Sequence, residues 1–276
     1  TTLMAGIIGL MFVSAYQFDK SMNDDIRNMV MVSKLADSTE HANISVELPP
    51  PVKAYLDKAI GTKPLSVFFV RIFHSGEIQT DDSSNKWYGV TAKQYITTYP
   101  VGIIWKANFQ KASVLQQTIF ESYWQGNANV SSRLFGTFIL SKENDANELN
   151  KAQLQRYLAE SVWYPSALLP NEFLEWQAVD DSSAIAKLST DGYEVKVKFY
   201  FNEHHEVSRV SAERYLLSQG AYQQLDWTVH YSDYQILNGI SVPVVYEKEW
   251  HHPEGNWLYS KGHVDDIEYN NTKDFE

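Results

Sequence analysis

The stretch that decides the fold runs from Asn147 to Trp176 and reads NELNKAQLQRYLAESVWYPSALLPNEFLEW. Its first half predicts a helix from about residue 148 to residue 162, because apolar side chains recur on adjoining turns and Asn147 can cap the start. Pro165 ends that helix. The second half is aromatic and bounded by prolines, and segments typical of strands lie on both sides. A single helix therefore interrupts a β protein.

The rest of the domain alternates between apolar and polar residues with a period of two, as strands do. Strands are predicted at 67–73, 87–99, 101–109, 113–123 and 131–140 before the helix, and at 173–179, 184–189, 193–202, 207–216, 227–237, 240–250 and 257–269 after it. The pairs Asp191-Gly192 and Asn238-Gly239 are typical of tight hairpin turns. This order lacks the βαβ alternation of dinucleotide-binding folds. It predicts a mainly β fold: a strongly curved antiparallel sheet, or half-barrel, with the central helix as a plug or lid.

Composition excludes several classes of function. The chain of 276 residues has a formal net charge of −11, whereas nucleic-acid binding requires clustered lysine and arginine. It has no cysteine, which excludes disulfides and thiolate metal sites. Aromatic residues make up 14%, a share that suits broad cross-strand pairs and a sizeable core.

The N-terminal run of residues 1–18, TTLMAGIIGLMFVSAYQF, carries no charge. As a helix it would extend about 27 Å, close to the ~30 Å hydrocarbon core of a bilayer. We expect a transmembrane anchor or signal remnant here, with a buried core helix as the alternative. Acidic residues outnumber basic ones just after it, so we expect the domain outside the cytoplasm, on the periplasmic or cell-surface side. Residues 19–47 predict a helical stalk or linker, and residues 48–276 a single β domain that opens with a short helix.

The motif RYLAE-x-x-W-x-P-x-A-L-L-P at residues 156–170 resembles the signature of an uncharacterised bacterial family of unknown function. A less specific resemblance extends from about residue 65 to residue 275. Ser122 departs from it, since an aspartate is expected before Tyr123. The resemblance implies a fold and no activity.

The last third of the chain is similar to the closing hairpins of lipoprotein-localisation-factor (LolA/LolB)-like half-barrels. The similarity lies in a strand ending near Tyr234, in NGISVP at residues 238–243 and in the terminal segment that reaches Phe275. It implies that acyl chains are held between a curved sheet and a helical lid. The helix at 148–162 would be that lid.

Arg156 and Glu160 lie four residues apart, so they share one face of the predicted helix and can pair. A surface salt bridge is the simpler interpretation; the functional one is that Arg156 grips an anionic head group or that Glu160 acts as an acid or base. Aromatic side chains nearby could line a ligand cavity or simply fill a core. The candidate ligand-binding residues are Tyr123, Arg156, Tyr157, Glu160, Trp163, Trp176 and Trp105.

Two histidine pairs, His204-His205 and His251-His252, invite comparison with metal sites. Adjacent strand residues point to opposite faces, and both pairs fall at predicted hairpin tips, so we expect no metal and no other cofactor. Serine-nucleophile and phosphate-loop motifs are absent from the sequence, and no catalytic residue is expected.

The leading hypothesis is a membrane-anchored extracytoplasmic protein that binds a hydrophobic small molecule, a lipid or an acyl chain between sheet and helix. It contacts the membrane through the N-terminal helix, binds no nucleic acid, and has no protein partner that the sequence identifies. One alternative is a hydrolase-like enzyme that uses Glu160, Arg156 and Tyr123 in a cleft. Another is a non-catalytic interaction module tethered to the membrane.

Overall fold

A computed structural model describes residues 2–37, 47–61, 66–112, 115–144 and 146–275. Its helices are α1 (Thr2–Asp37), α2 (Pro50–Ile60) and α3 (Asn147–Glu160), and two 3₁₀ turns follow α3 at Ser161–Trp163 and Pro165–Leu168. Its strands are β1 (Phe69–Ile78), β2 (Tyr88–Thr97), β3 (Gly102–Ala112), β4 (Leu115–Trp124), β5 (Asn127–Leu134), β6 (Phe138–Asn144), β7 (Leu174–Asp180), β8 (Ser183–Thr190), β9 (Tyr193–Phe201), β10 (Val207–Ser218), β11 (Ala221–Leu237), β12 (Ile240–His252) and β13 (Gly255–Tyr269).

The strands form one 13-stranded sheet in the order β6-β5-β4-β3-β2-β1-β13-β12-β11-β10-β9-β8-β7, and all neighbouring strands are antiparallel. The chain begins in the middle at β1 and moves strand by strand to the β6 edge. Helix α3 then carries it to the opposite edge at β7, and the remaining strands return to β13 beside β1. The helix that interrupts the strands in sequence is therefore the link between the two sheet edges.

The sheet curves around α3. This helix contacts β4 and β5 on one side and β9 and β10 on the other. On a flat sheet β4 and β10 would lie about 34 Å apart, at ~4.8 Å for each step between neighbouring strands. A helix with its side chains is only about 10–12 Å wide. The predicted curved antiparallel sheet with a central helix is thus confirmed.

Strand alternation gives the sheet two differently covered faces. On β1, Ile72 points to the concave face, where it packs with α2 and α3, while Phe69 points to the convex face. Helix α1 covers part of the convex face through one stripe of side chains. That stripe comprises Met22, Ile26, Met29 and Val30, which pack on Phe69, Tyr95, Ile104 and Phe120.

The prediction of a membrane span at residues 1–18 followed by a stalk at 19–47 is not supported. Among the residues that the structure describes, no helix combines the length and the apolar character needed to cross a bilayer. Helix α1 continues without a break from Thr2 to Asp37, and its buried stripe packs on the sheet rather than standing away from it. Residues 38–46 lie outside the described part of the chain.

The predicted strand at 131–140 was wrong, because it is two strands. Phe135 and Gly136 both have positive φ angles, +54° and +67°, and turn the chain between β5 and β6. The predicted hairpin turns at Asp191-Gly192 and Asn238-Gly239 have positive φ at both residues, as a tight two-residue turn requires.

Helix α3 begins one residue before the predicted start and ends two residues before the predicted end, where a 3₁₀ turn replaces the last residues. Ala146 occupies the N-cap position expected for Asn147. A helix with one apolar stripe usually exposes its polar face, yet both faces of α3 are buried. Because the curved sheet encloses it, its polar residues Asn150, Gln153, Arg156 and Glu160 must find partners inside the protein.

Candidate functional site

Glu160 is the centre of a buried group of charged side chains on the concave face, with no exposed surface of its own. Its Oε1 accepts hydrogen bonds from Arg156 Nε at 3.0 Å and from Lys248 Nζ at 2.5 Å. Its Oε2 accepts one from Gln94 Nε2 at 2.7 Å. Burial raises the pKa of this carboxyl, but the Arg156 and Lys248 charges and the hydrogen bonds outweigh it and hold the pKa at about 2. Glu160 is therefore a carboxylate, and not a proton donor, near neutral pH.

Arg156 links Glu160 to a second carboxylate. Its Nη1 donates a hydrogen bond to Glu121 Oε2 at 2.7 Å, and its guanidinium lies 4.8 Å from the centre of the Trp105 ring. Gln153 donates to the same Glu121 oxygen at 2.8 Å. Burial lowers the pKa of Arg156, but the charges of Glu160 and Glu121 raise it overall. We call Glu121, Arg156, Glu160 and Lys248 the ionic cluster.

His74 borders the ionic cluster as a neutral group. Its Nε2 lies 3.0 Å from Gln94 Oε1, and since that oxygen can only accept, Nε2 carries the proton. Nδ1 is buried without a hydrogen-bond partner. Burial is the largest cause that lowers the pKa of His74, to about 4. The ring packs edge-on against Trp163 and Tyr246, at 5.2 and 5.7 Å between centres.

Arg214 on β10 is a third buried cation and differs from the other two. It is 8% exposed, and its Nε donates a hydrogen bond to the Ala152 carbonyl of α3 at 2.9 Å. Its guanidinium lies 4.9 Å from the Trp227 ring and 5.4 Å from the Trp250 ring. In the described part of the chain no carboxylate lies within 4 Å of it, and its terminal nitrogens make no hydrogen bond. Burial lowers its pKa.

The structure gathers only three of the seven predicted ligand residues into this site: Arg156, Glu160 and Trp105. Tyr123 lies on the other side of α3, where its hydroxyl donates to Asp191 at 2.8 Å. The other three pack in the concave core: Tyr157 is 3% exposed, Trp163 Nε1 donates to the Pro243 carbonyl, and Trp176 Nε1 donates to the Leu168 carbonyl.

The enzyme hypothesis required Glu160, Arg156 and Tyr123 to converge in a cleft. The first two do converge, but the Tyr123 hydroxyl has a separate partner in Asp191. Glu160 accepts three hydrogen bonds and has no exposed surface, so its carboxylate is not presented to a substrate. The arrangement fixes α3 in the sheet and does not favour acid–base chemistry.

An open cleft of about 740 Å³ lies beside the Tyr123–Asp191 contact. It forms where the turns of three hairpins and the segment before β7 meet, and the rings of Tyr99 and Phe173 stack at 5.0 Å along it. The polar lining includes Asp191 and Glu194. None of the seven predicted ligand residues lines this cleft.

Five polar residues of the site were not predicted from the sequence as ligand or network residues: Gln94, Glu121, Lys248, His74 and Arg214. Each is polar at a strand position that points inward, as the paired registers show. They could have been recognised as polar residues at strand positions where the alternation predicts a buried apolar side chain.

The model of a family of unknown function, DUF6920, matches residues 46–269. The chain belongs to this family. The expectation that the chain belongs to a family of unknown function is thereby confirmed. The comparison with curated proteins gave no match for this DUF6920 chain.

Several solved structures are similar to the DUF6920 chain in fold at low identity. A DUF1329 family protein from Desulfovibrio piger matches with a TM-score of 0.43 and 12% identity, over 82% of this chain and 97% of that chain. A LolA superfamily protein from Nitrosomonas europaea matches with a TM-score of 0.37 and 12% identity, over 82% of this chain and 97% of that chain. A β-barrel-like protein of the DUF1849 domain from Brucella abortus matches with a TM-score of 0.30 and 9% identity, over 74% of this chain and 99% of that chain. Likenesses this distant carry no argument about a ligand.

Proposed function

We propose that this protein is a non-catalytic binding protein for an apolar ligand that carries an anionic group, such as a fatty acid or a lipid. The ligand lies on the concave face beside α3, with its anionic group on Arg214. The observation that carries the proposal is a buried guanidinium without a carboxylate partner in the described part of the chain.

A largely buried charge without a carboxylate in contact is costly, because it loses most of its hydration. Arg156 and Lys248 avoid that cost through Glu121 and Glu160. Arg214 has one backbone carbonyl and two indole rings instead. Its free terminal nitrogens present the planar fork that binds a carboxylate or phosphate through two parallel hydrogen bonds. An anionic ligand would supply the missing counter-charge.

The surface around Arg214 suits the apolar part of such a ligand. Leu225 pairs with Arg214 across the strands, and Trp257 pairs with Trp250, so these side chains share the concave face. Leu216, Leu225, Trp257 and Tyr259 are only partly buried there. Partly exposed apolar and aromatic side chains next to a fixed polar group are typical of ligand sites.

The sequence predicted a ligand between the sheet and the helix, with Arg156, Trp105, Tyr157 and Trp163 among its contacts. Tyr157 and Trp163 are buried in the core. The side of α3 that carries Arg156 and faces Arg214 and Trp105 is the better candidate. Membrane association and an extracytoplasmic location stay part of the proposal, on the basis of the uncharged run at 1–18.

Titration of delipidated protein with a fluorescent fatty acid, and with the matching fatty alcohol, tests the proposal. We expect Arg214→Gln to weaken fatty-acid binding at least about tenfold and to leave alcohol binding nearly unchanged, because only the acid carries a charge. Arg209→Gln is the matched control, since Arg209 lies on the same strand over the Tyr200 ring. Failure of the native protein to bind either probe would reject the proposal.

A further inference from the structure

One corner of the molecule holds most of its exposed apolar side chains. Of the 12 large hydrophobic residues exposed in the described part of the chain, seven lie there, between 40% and 74% exposed. We call this group the apolar corner; it comprises Phe12, Val13 and Tyr16 of α1, Leu115 of β4, and Phe138, Ile139 and Leu140 of β6. Apolar groups clustered to this extent mark an interaction surface.

The β5–β6 turn brings these residues together by docking on α1. Thr137 Oγ1 donates a hydrogen bond to the Met11 carbonyl at 2.9 Å, and Gly136 lies against Ala15. The Phe135 N–H donates to the Gln116 carbonyl at 2.9 Å, which adds the start of β4 to the same corner. The apolar corner is therefore a built part of the fold.

Strand β6 is an edge of the sheet, and three consecutive residues on it are apolar and exposed. Edge strands in soluble proteins usually carry charges that prevent association. The charges of β6, Lys142 and Glu143, lie at its other end, and Arg133 is on the neighbouring β5. The two cations, Lys142 and Arg133, line a cleft of about 250 Å³ together with Phe18, and the Arg133 guanidinium lies 4.0 Å from the centre of that ring.

These two cations have no carboxylate within 4 Å in the described residues, although Asp25 also lines the cleft. Burial lowers the pKa of Arg133. An apolar surface bordered by unpaired cations complements a bilayer that carries anionic head groups. Phe12, Val13 and Tyr16 of the apolar corner belong to the uncharged run of residues 1–18.

We propose that the apolar corner lies on the surface of an anionic lipid bilayer, with Ile139 and its neighbours among the acyl chains and Arg133 and Lys142 at the head groups. The proposal is independent of the ligand site at Arg214, because the apolar corner is formed by α1, β4 and the β6 edge, whereas Arg214 lies on β10.

The absence of cysteine allows one spin label to be placed at a time. We would label the full chain at Ile139→Cys and, as a control, at Ile236→Cys, which is 76% exposed on β11. Vesicles of phosphatidylcholine, with and without phosphatidylglycerol, are then added. The expected result is that the label at 139 becomes accessible to oxygen and protected from a water-soluble relaxation agent, while the label at 236 does not.

A double change of exposed side chains, Ile139→Ser with Leu140→Ser, is expected to weaken vesicle binding about tenfold, since two apolar groups no longer leave water. Ile236→Ser is the control and should bind like the native chain. Arg133→Gln with Lys142→Gln should remove the preference for phosphatidylglycerol. Three results would overturn the proposal: no vesicle binding, a label at 139 that stays in water on bound protein, or labels at 139 that contact one another without vesicles, which indicates a second copy of the chain.

Discussion

The Lys248 ammonium on β12 donates a hydrogen bond of 2.5 Å to the Glu160 carboxylate on α3. The helix that joins the two sheet edges is thereby tied by charge to a strand near the middle of the sheet. Arg156 extends the same connection to Glu121 on β4. The ionic cluster is the device that fixes α3 inside the curved sheet.

Neutralising the central carboxylate is expected to destabilise the fold strongly. Glu160→Gln leaves Arg156 and Lys248 buried with one counter-charge fewer, and we expect the free energy of unfolding to fall by about 3–5 kcal/mol. Urea unfolding followed by tryptophan fluorescence measures it. Asp57→Asn is the control, because Lys53 and Asp57 also lie four apart on a helix but are exposed. Equal unfolding midpoints for the two variants would show that burial of the pair has no effect.

Acid should weaken the fold in a range set by His74. The pKa of this group is about 4 in the folded protein, against an ordinary value of 6.5. Between these values the unfolded chain binds more protons, so the free energy of unfolding falls as pH drops from 6.5 towards 4. His74→Gln should flatten the slope in that range, whereas His204→Gln at an exposed turn should not. An unchanged slope in His74→Gln would assign the effect to another group.

Protonation of Glu160 should lower the stability of the fold in a second, more acidic pH range. Its pKa is about 2 when folded and 4.5 ordinarily, so its contribution to stability is complete above pH 4.5 and is lost as pH falls towards 2. The native protein should lose stability more steeply than Glu160→Gln in this range. Urea midpoints recorded across it provide the comparison, and parallel curves would contradict the low pKa.

A side chain at position 262 should destabilise the fold. A Cβ at this position would overlap the Tyr246 ring, which packs on His74 and Trp163. We expect Gly262→Ala to cost about 1–3 kcal/mol, as overpacking does. Gly89→Ala is the matched control in a strand, because nothing lies within 4 Å of its Cβ position. Thermal unfolding of both variants tests the difference.

Much of the fold could be predicted because it depends on local signals. Alternation located nearly every strand, and Asn238-Gly239 and Asp191-Gly192 located hairpins, since only certain residues adopt positive φ easily. The β5–β6 turn was not predicted, because Phe135 has a positive φ angle that bulky residues rarely adopt.

The site was less predictable, because it depends on which strands meet across α3. Arg156 and Glu160 could be paired from their spacing, but Glu121 and Lys248 come from strands that only the curvature brings to the helix. The same enclosure buries α3 on both faces, so the helix that was expected as a plug or lid lies inside the sheet. Likewise, residues 19–47 were predicted to be helical, but the sequence did not indicate the sheet surface that buries Met22 and its neighbours in α1.

The carboxyl resonance of a bound fatty acid, labelled with ¹³C and titrated by NMR, tests the central claim most directly. If Arg214 holds the anionic group, the bound carboxyl will titrate at lower pH than in water, and Arg214→Gln will bring it back up or abolish the bound signal. A native protein that gives no bound resonance, or a bound carboxyl that titrates alike with and without Arg214, would contradict the account.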